Sequence, residues 1–185
     1  MDSNKSINFA KYLKQITPSI IFNVNNNEIT IYVNSSDMLK VVFFIKKHTT
    51  IKVDQLLDIT AIDFPQRKNR FEVVYQYISI KYNNRICIST SVPEGSSLES
   101  VTSLYPSAGW YERETWDIFG VHFYNHPDLR RILTDYGFKG HPLRKDFPVT
   151  GFIETCYSEF NKRVIYEKVN LAQEYRLFSL SCNYN

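Results

Sequence analysis

Residues 70–82 and 85–92 alternate apolar and polar side chains with a period of two around Asn83-Asn84, and no other pattern restricts the chain as tightly. Strand side chains point alternately to opposite faces. Phe71, Val73, Tyr75 and Tyr77 therefore line one face of the first arm, and Val74, Ile78 and Ile80 the other. Ile86, Ile88, Thr90 and Val92 gather on one face of the second arm, with Cys87 opposite. The two asparagines supply the positive φ angles of a tight hairpin turn.

Around that hairpin the pattern predicts a short amphipathic helix over residues 7–16, a loop over 23–27 and a strand over 28–33. Ser36 is placed to cap a helix whose stripe is Met38, Val41, Val42 and Ile45, with Lys46, Lys47 and His48 at its C-terminal end. A strand over 56–62, a loop over 93–97, a short helix over 98–104 and a short strand over 163–166 complete the set. The fold class is α+β: a small, mostly antiparallel sheet with a few packed helices, followed by an extended C-terminal segment. Residues 1–120 form the core domain with its charged helix, and residues 121–185 a docking segment and tail.

Composition excludes several classes. With 43% hydrophobic and 15% aromatic residues in 185, the chain can bury a sizeable core. Its longest apolar run, Val41-Val42-Phe43-Phe44-Ile45, is far short of the roughly 20 residues that span a bilayer. A net charge of +3 is not the dense basic footprint of a nucleic-acid binder. Cys87, Cys156 and Cys182 lack zinc or iron–sulfur spacing, and an odd count without a secretory signal favours a reducing compartment. Residues 1–19 carry neither an apolar signal core nor a transit-peptide composition, so the chain is expected to act where it is made or to lack a targeting element.

Residues 110–148 mix charge and aromatic bulk on the same few turns. With Ser107 as cap and an end before Gly120, Trp110, Arg113, Glu114 and Asp117 share one side of a helix, and no face is plainly wet or plainly dry. Asp117 falls in the last turn, where the helix dipole disfavours an anion, so it needs a cation; Arg130 and Arg131 follow a Gly and a Pro that can return the chain to it. A buried or half-buried ion network is expected there. Beyond it, Pro127, Gly137, Gly140, Pro142 and Pro148 forbid long regular structure.

The catalytic constellations fail one by one. His122 and His126 stand four apart, but Pro127 breaks the helix and no Glu follows His122 as a metalloprotease requires. Glu112 and Glu114 point in different directions. Residues 137–140 lack the spacing of a phosphate loop, and no Ser stands in a Gly-x-Ser-x-Gly elbow. Arg130, Arg131, Arg144 and Lys145 could hold RNA, yet Asp128, Asp135 and Asp146 are interleaved with them. The residues by themselves predict an interface-like segment with no self-contained active site.

Glu112-Arg113-Glu114, Asp117-Ile118-Phe119-Gly120, the run from His126-Pro127-Asp128 through Leu129-Arg130-Arg131-Ile132-Leu133, and Gly140-His141-Pro142-Leu143-Arg144-Lys145-Asp146-Phe147-Pro148 together closely resemble one signature. It is that of the 30 kDa subunit family of respiratory complex I, the proton-pumping NADH:ubiquinone oxidoreductase, in its mitochondrial NADH dehydrogenase subunit 9 form. Residues 58–63, 163–167 and 173–176 extend the resemblance, which runs from about Val53 to Phe178. Lys168 and Val149 depart mildly from the family pattern, which commonly has Pro and Leu there.

The resemblance implies a non-catalytic core subunit of the hydrophilic arm that supports assembly and electron transfer from NADH to ubiquinone. It implies no cofactor on this chain, while the complex uses FMN, iron–sulfur clusters, NADH and ubiquinone. The partners implied are the hydrogenase-like quinone-site subunit and neighbouring iron–sulfur subunits, with the membrane reached only through the complex. The location implied is the matrix side of the mitochondrial inner membrane, or the cytoplasmic side of a bacterial plasma membrane. The expected subunit interface comprises Glu112, Arg113, Glu114, Asp117, His126, Asp128, Arg130, Arg131, His141, Arg144, Lys145 and Asp146. The alternative is a stand-alone organellar RNA-binding or ribosome-associated protein.

Overall fold

A computed structural model describes residue 11, residues 21–25 and residues 28–176. The chain forms two compact units, Met1–Lys145 and Asp146–Asn185. Residues 121–145, expected in the docking extension, cluster with the first unit.

The first unit is built on a five-stranded sheet in the order β1-β2-β5-β4-β3. Its strands are β1 (Ile21–Asn25), β2 (Glu28–Val33), β3 (Gln55–Asp63), β4 (Phe71–Ser79) and β5 (Asn84–Val92). Only β2 and β5 run parallel; every other pair is antiparallel. The period-two pattern does what it predicts: Phe71, Val73, Tyr75 and Tyr77 are buried, as are Ile86, Ile88 and Val92. A slip of one residue would turn this whole set to the other face, so the register is firmly fixed. Helix α1 (Met38–Lys47) adds Met38, Val42 and Ile45 to the same core.

A second layer carries the segment of interest. Strands β6 (Ser97–Glu99) and β7 (His122–Tyr124) pair in parallel, joined through helix α2 (Ala108–Phe119), which lies against β3. Parallel neighbours need a long crossover, and α2 is that crossover. In the second unit, β8 (Ile153–Ser158) and β9 (Arg163–Lys168) form an antiparallel hairpin, with Lys162 at φ 48° in its turn.

Several expectations are corrected. Asn23–Asn25 belongs to strand β1 rather than a loop, because pairing with β2 along the sheet edge outweighs the low strand propensity of asparagine. The α1 cap is Asp37, not Ser36, and its side chain makes no capping hydrogen bond; the Asp37 carboxylate instead accepts from Lys40 Nζ at 3.0 Å. The β4–β5 link has four residues, 80–83, with only Asn83 at positive φ (52°), and Asn84 already lies in the strand. No helix forms over 98–104: Leu98 is a buried strand residue of β6, followed by a turn. The helix expected over 7–16 lies, Lys11 apart, outside the described residues.

Candidate functional site

Helix α2 ends where the sequence said it would. Gly120 adopts φ +79° and its N–H donates to Trp116 O at 2.9 Å, a left-handed C-terminal cap. Glycine is required twice over, because a Cβ at this position would also stand 2.6 Å from His141 Nε2. Ala108, Glu112 and Thr115 form the helix face turned to the sheet, and the Thr115 hydroxyl sits 3.2 Å from Ile59 O on β3.

Asp117 is fully buried at the other side of the helix end. Its Oδ1 accepts from Arg131 Nη1 at 2.9 Å and from the Thr134 hydroxyl at 2.6 Å. Its Oδ2 accepts from the N–H groups of Ile132, Leu133 and Thr134 at 3.1, 2.9 and 3.0 Å. Burial alone would raise its pKa, but the hydrogen bonds from Thr134, Leu133 and Ile132 prevail and hold the carboxyl at about 2. The cation that the dipole argument demanded is Arg131, whose guanidinium also bonds Gly140 O and lies 5.7 Å from the Trp116 ring and 5.9 Å from that of Phe138.

The last carbonyls of α2 are capped from the same strip. His141 Nδ1 meets Asp117 O at 2.9 Å, and because a carbonyl only accepts, that nitrogen carries the proton. Burial, aided by the nearby Arg144 and Arg131 charges, lowers the His141 pKa and favours this neutral ring. Arg144 Nε donates to Phe119 O at 2.6 Å. Arg144 also bonds Glu94 at 2.9 Å, and Glu94 bonds Arg70 at 3.1 Å. Arg70 grips buried Asp63 through two bonds of 2.7 and 2.9 Å, and Lys145 N–H donates to Asp63 at 2.8 Å. Chiefly through the Arg70 hydrogen bond, the Asp63 pKa is lowered.

Glu112 is the second fully buried acid of the helix. Its carboxylate accepts from the Ser100 hydroxyl at 2.6 Å and from Val101 N–H at 2.7 Å. His126 Nε2 lies 3.9 Å away. That imidazole accepts Asp128 N–H at Nδ1 (3.1 Å) and so donates from Nε2 to Gly109 O (3.2 Å), which makes it neutral. Burial, only partly offset by the Ser100 and Val101 bonds, raises the Glu112 pKa to about 7. Among the described residues the buried Tyr75 and Tyr77 hydroxyls have no hydrogen-bond partner, and burial first, then the Glu112 charge, pushes the Tyr75 phenol up.

The expected interface set thus separates by position. Glu112, Asp117 and the His126 side chain point into the chain, so they shape the surface without presenting it. Glu114, Asp128, Arg130, Lys145 and Asp146 are exposed, and Arg113, Arg131, His141 and Arg144 are half-buried. Arg130 pairs with Asp128 at 2.9 Å on the surface. With Arg131 on Asp117 and Arg144 on Glu94, the basic cluster is largely satisfied within the chain, which removes the basis for an RNA site. Asp63, Arg70 and Glu94 also belong to the network, although no local pattern in the sequence marks them. Among the described residues no group of three or more His, Cys, Asp or Glu is placed to hold a metal ion, and no helix is long and apolar enough to cross a membrane.

Residues 31–153 match the family described as respiratory-chain NADH dehydrogenase, 30 Kd subunit. The chain is 53% identical over 150 residues to NADH dehydrogenase (ubiquinone) iron-sulfur protein 3 of Oryza sativa subsp. japonica, covering 81% of this chain and 79% of that protein. It is 46% identical over 173 residues to NADH-ubiquinone oxidoreductase subunit 9 of Reclinomonas americana, covering 94% and 82%. It is 51% identical over 174 residues to the probable NADH-ubiquinone oxidoreductase 30.4 kDa subunit, mitochondrial, of Candida maltosa, covering 93% and 63%. Among solved structures, a chain of the membrane-bound sulfane sulfur reductase, an archaeal respiratory membrane complex, matches with a TM-score of 0.68 at 25% identity, covering 78% of this chain and 86% of that one.

Proposed function

The chain belongs to the family of the respiratory-chain NADH dehydrogenase 30 kDa subunit, and from that premise we propose that its share of the work in NADH:ubiquinone oxidoreductase is architectural. It is a core subunit of the enzyme. It holds neighbouring subunits in place while they carry the electrons from NADH to ubiquinone, and it supplies no catalytic group of its own.

The second unit carries this reading. One face of the β8–β9 hairpin is exposed along its length and carries Ile153, Tyr157, Val164 and Tyr166, while Cys156, Ser158 and Ile165 on the other face are half-buried. A lone two-stranded hairpin is marginal in water. An apolar surface of this kind marks a place that a partner covers.

The iron–sulfur clusters implied by the relatives' names belong on neighbours, because a cluster takes about four ligands, mostly cysteines. This chain has three cysteines; Cys87 lies on β5 of the first unit and Cys156 on β8 of the second. FMN, NADH and ubiquinone are likewise bound elsewhere in the complex. The partners are the hydrogenase-like subunit of the quinone site and the adjoining iron–sulfur subunits. The location is the matrix face of the mitochondrial inner membrane, reached through those subunits.

The exposed members of the charged set and the hairpin each supply surface for contact with partners. A native gel of mitochondrial membranes, probed for this chain and stained for NADH oxidation, tests the reading. The chain is expected in the large NADH-oxidising band; migration only as a free species overturns it.

A further inference from the structure

Building on the assignment to the complex, we propose that the open groove between α2 and residues 130–137 receives an acidic segment of a neighbouring subunit, with a carboxylate on Arg113 and an apolar side chain against Trp110. The groove encloses about 540 Å³ and is lined by Trp110, Arg113, Arg130, Arg131, Asp135 and Tyr136, among others. Its far wall is held firm from behind, because Asp117 fixes the N–H groups of Ile132, Leu133 and Thr134. A preformed wall of this kind reduces the ordering cost of binding.

Charge bookkeeping identifies the occupant. Arg131 is neutralised by Asp117, and Arg130 lies in a surface pair with Asp128. Asp135 Oδ1 accepts the Tyr136 N–H. Arg113 is left over. Its Nε and Nη2 donate to the carbonyls of Arg130 and Arg131 at 3.0 and 3.5 Å, but among the described residues it meets no carboxylate. Two carbonyl dipoles orient a guanidinium without cancelling its charge, and its half-buried position strengthens whatever anion reaches it.

The walls supply the rest of the recognition. The Trp110 ring lies 5.1 Å from the Arg113 guanidinium carbon and is 65% exposed, while Tyr136 is exposed completely. Trp, Tyr and Arg around one groove are the residues that most often dominate binding energy at protein interfaces. One unpaired cation flanked by carboxylates at the rim does not suit a polyanion, whose phosphates would meet Asp128 and Asp135. It suits a peptide that brings a single acid together with an apolar neighbour.

The test uses the assembled complex. Full-length chain carrying Trp110→p-benzoylphenylalanine or Tyr136→p-benzoylphenylalanine is incorporated, irradiated in the intact enzyme, and its adducts are mapped by mass spectrometry. The expected adduct is a peptide of another subunit with Asp or Glu a few residues from the attachment point. Arg113→Glu should lower incorporation on the order of tenfold. Arg113→Lys should retain much of it, and reversing the mapped partner acid to Lys should restore the Arg113→Glu variant. Adducts only within this chain, a partner peptide without an acid, or normal incorporation of Arg113→Glu would overturn the groove proposal while leaving the architectural role intact. Absence of the unmodified chain from the NADH-oxidising complex would overturn both.

Discussion

Helix α2 carries two fully buried carboxylates whose surroundings drive them in opposite directions. Asp117, at the loop-facing end, receives five hydrogen bonds, one from a guanidinium, and its pKa falls to about 2. Glu112, on the sheet-facing side, receives two and stands beside a neutral imidazole, and its pKa rises to about 7. Solvent reaches neither side chain, but burial prevails at the more deeply enclosed Glu112, whereas at Asp117 the larger set of hydrogen-bond donors outweighs it. The helix C-terminus is tied down by an ion, and its sheet-facing side carries an acid that takes up a proton near neutral pH.

The strongest way to break this contrast is Asp117→Asn. The variant leaves Arg131 without its partner and aims an amide NH2 at backbone N–H groups, so unfolding in urea should show a loss of roughly 3–5 kcal/mol. A loss under about 1 kcal/mol would mean that the ion pair does not hold the strip. In the wild type the Asp117 contribution is present above its ordinary value of 3.8 and disappears as pH falls through about 2.

Glu112 should behave with the opposite sign. Its folded pKa lies above the ordinary 4.5, so its contribution is complete below that value and is lost as pH rises towards about 7. The loss amounts to about 3 kcal/mol. Subtracting the unfolding free energy of Glu112→Gln from that of the wild type at each pH isolates it. A flat difference between pH 4.5 and 8 would show that Glu112 keeps its charge in the fold. The smallest effect should come from Arg130→Ala, whose pair with Asp128 is exposed on both sides. A change beyond about 0.5 kcal/mol would show that surface charge also secures this region.

What was legible in the chain depended on how local the physics was. The β4–β5 pair announced itself because one face is buried along its whole length, and α2 because Gly120 ends it. The need of Asp117 for a cation followed from the helix dipole alone. Strand β8 gave no signal, because none of its residues is fully buried and its half-buried positions are Cys156 and the polar Ser158, so no apolar alternation is imposed. Strands β6 and β7 are three residues each, shorter than any period can register. The Asp63–Arg70–Glu94–Arg144 chain joins residues far apart in sequence, and only the folded register brings them together. Glu112 could have been found. It stands between Ala108 and Thr115 at helical spacing, on a stripe otherwise made of small residues suited to close packing.

The β8–β9 hairpin has a consequence for the life of the chain before it meets its neighbours. Two short strands with open outer edges are what a second copy of the same chain would pair with first. They are also where a protease would find backbone that opens at little cost. On the docking role proposed above, the free subunit is perishable, and its steady-state level should follow the supply of its partner rather than its own rate of synthesis.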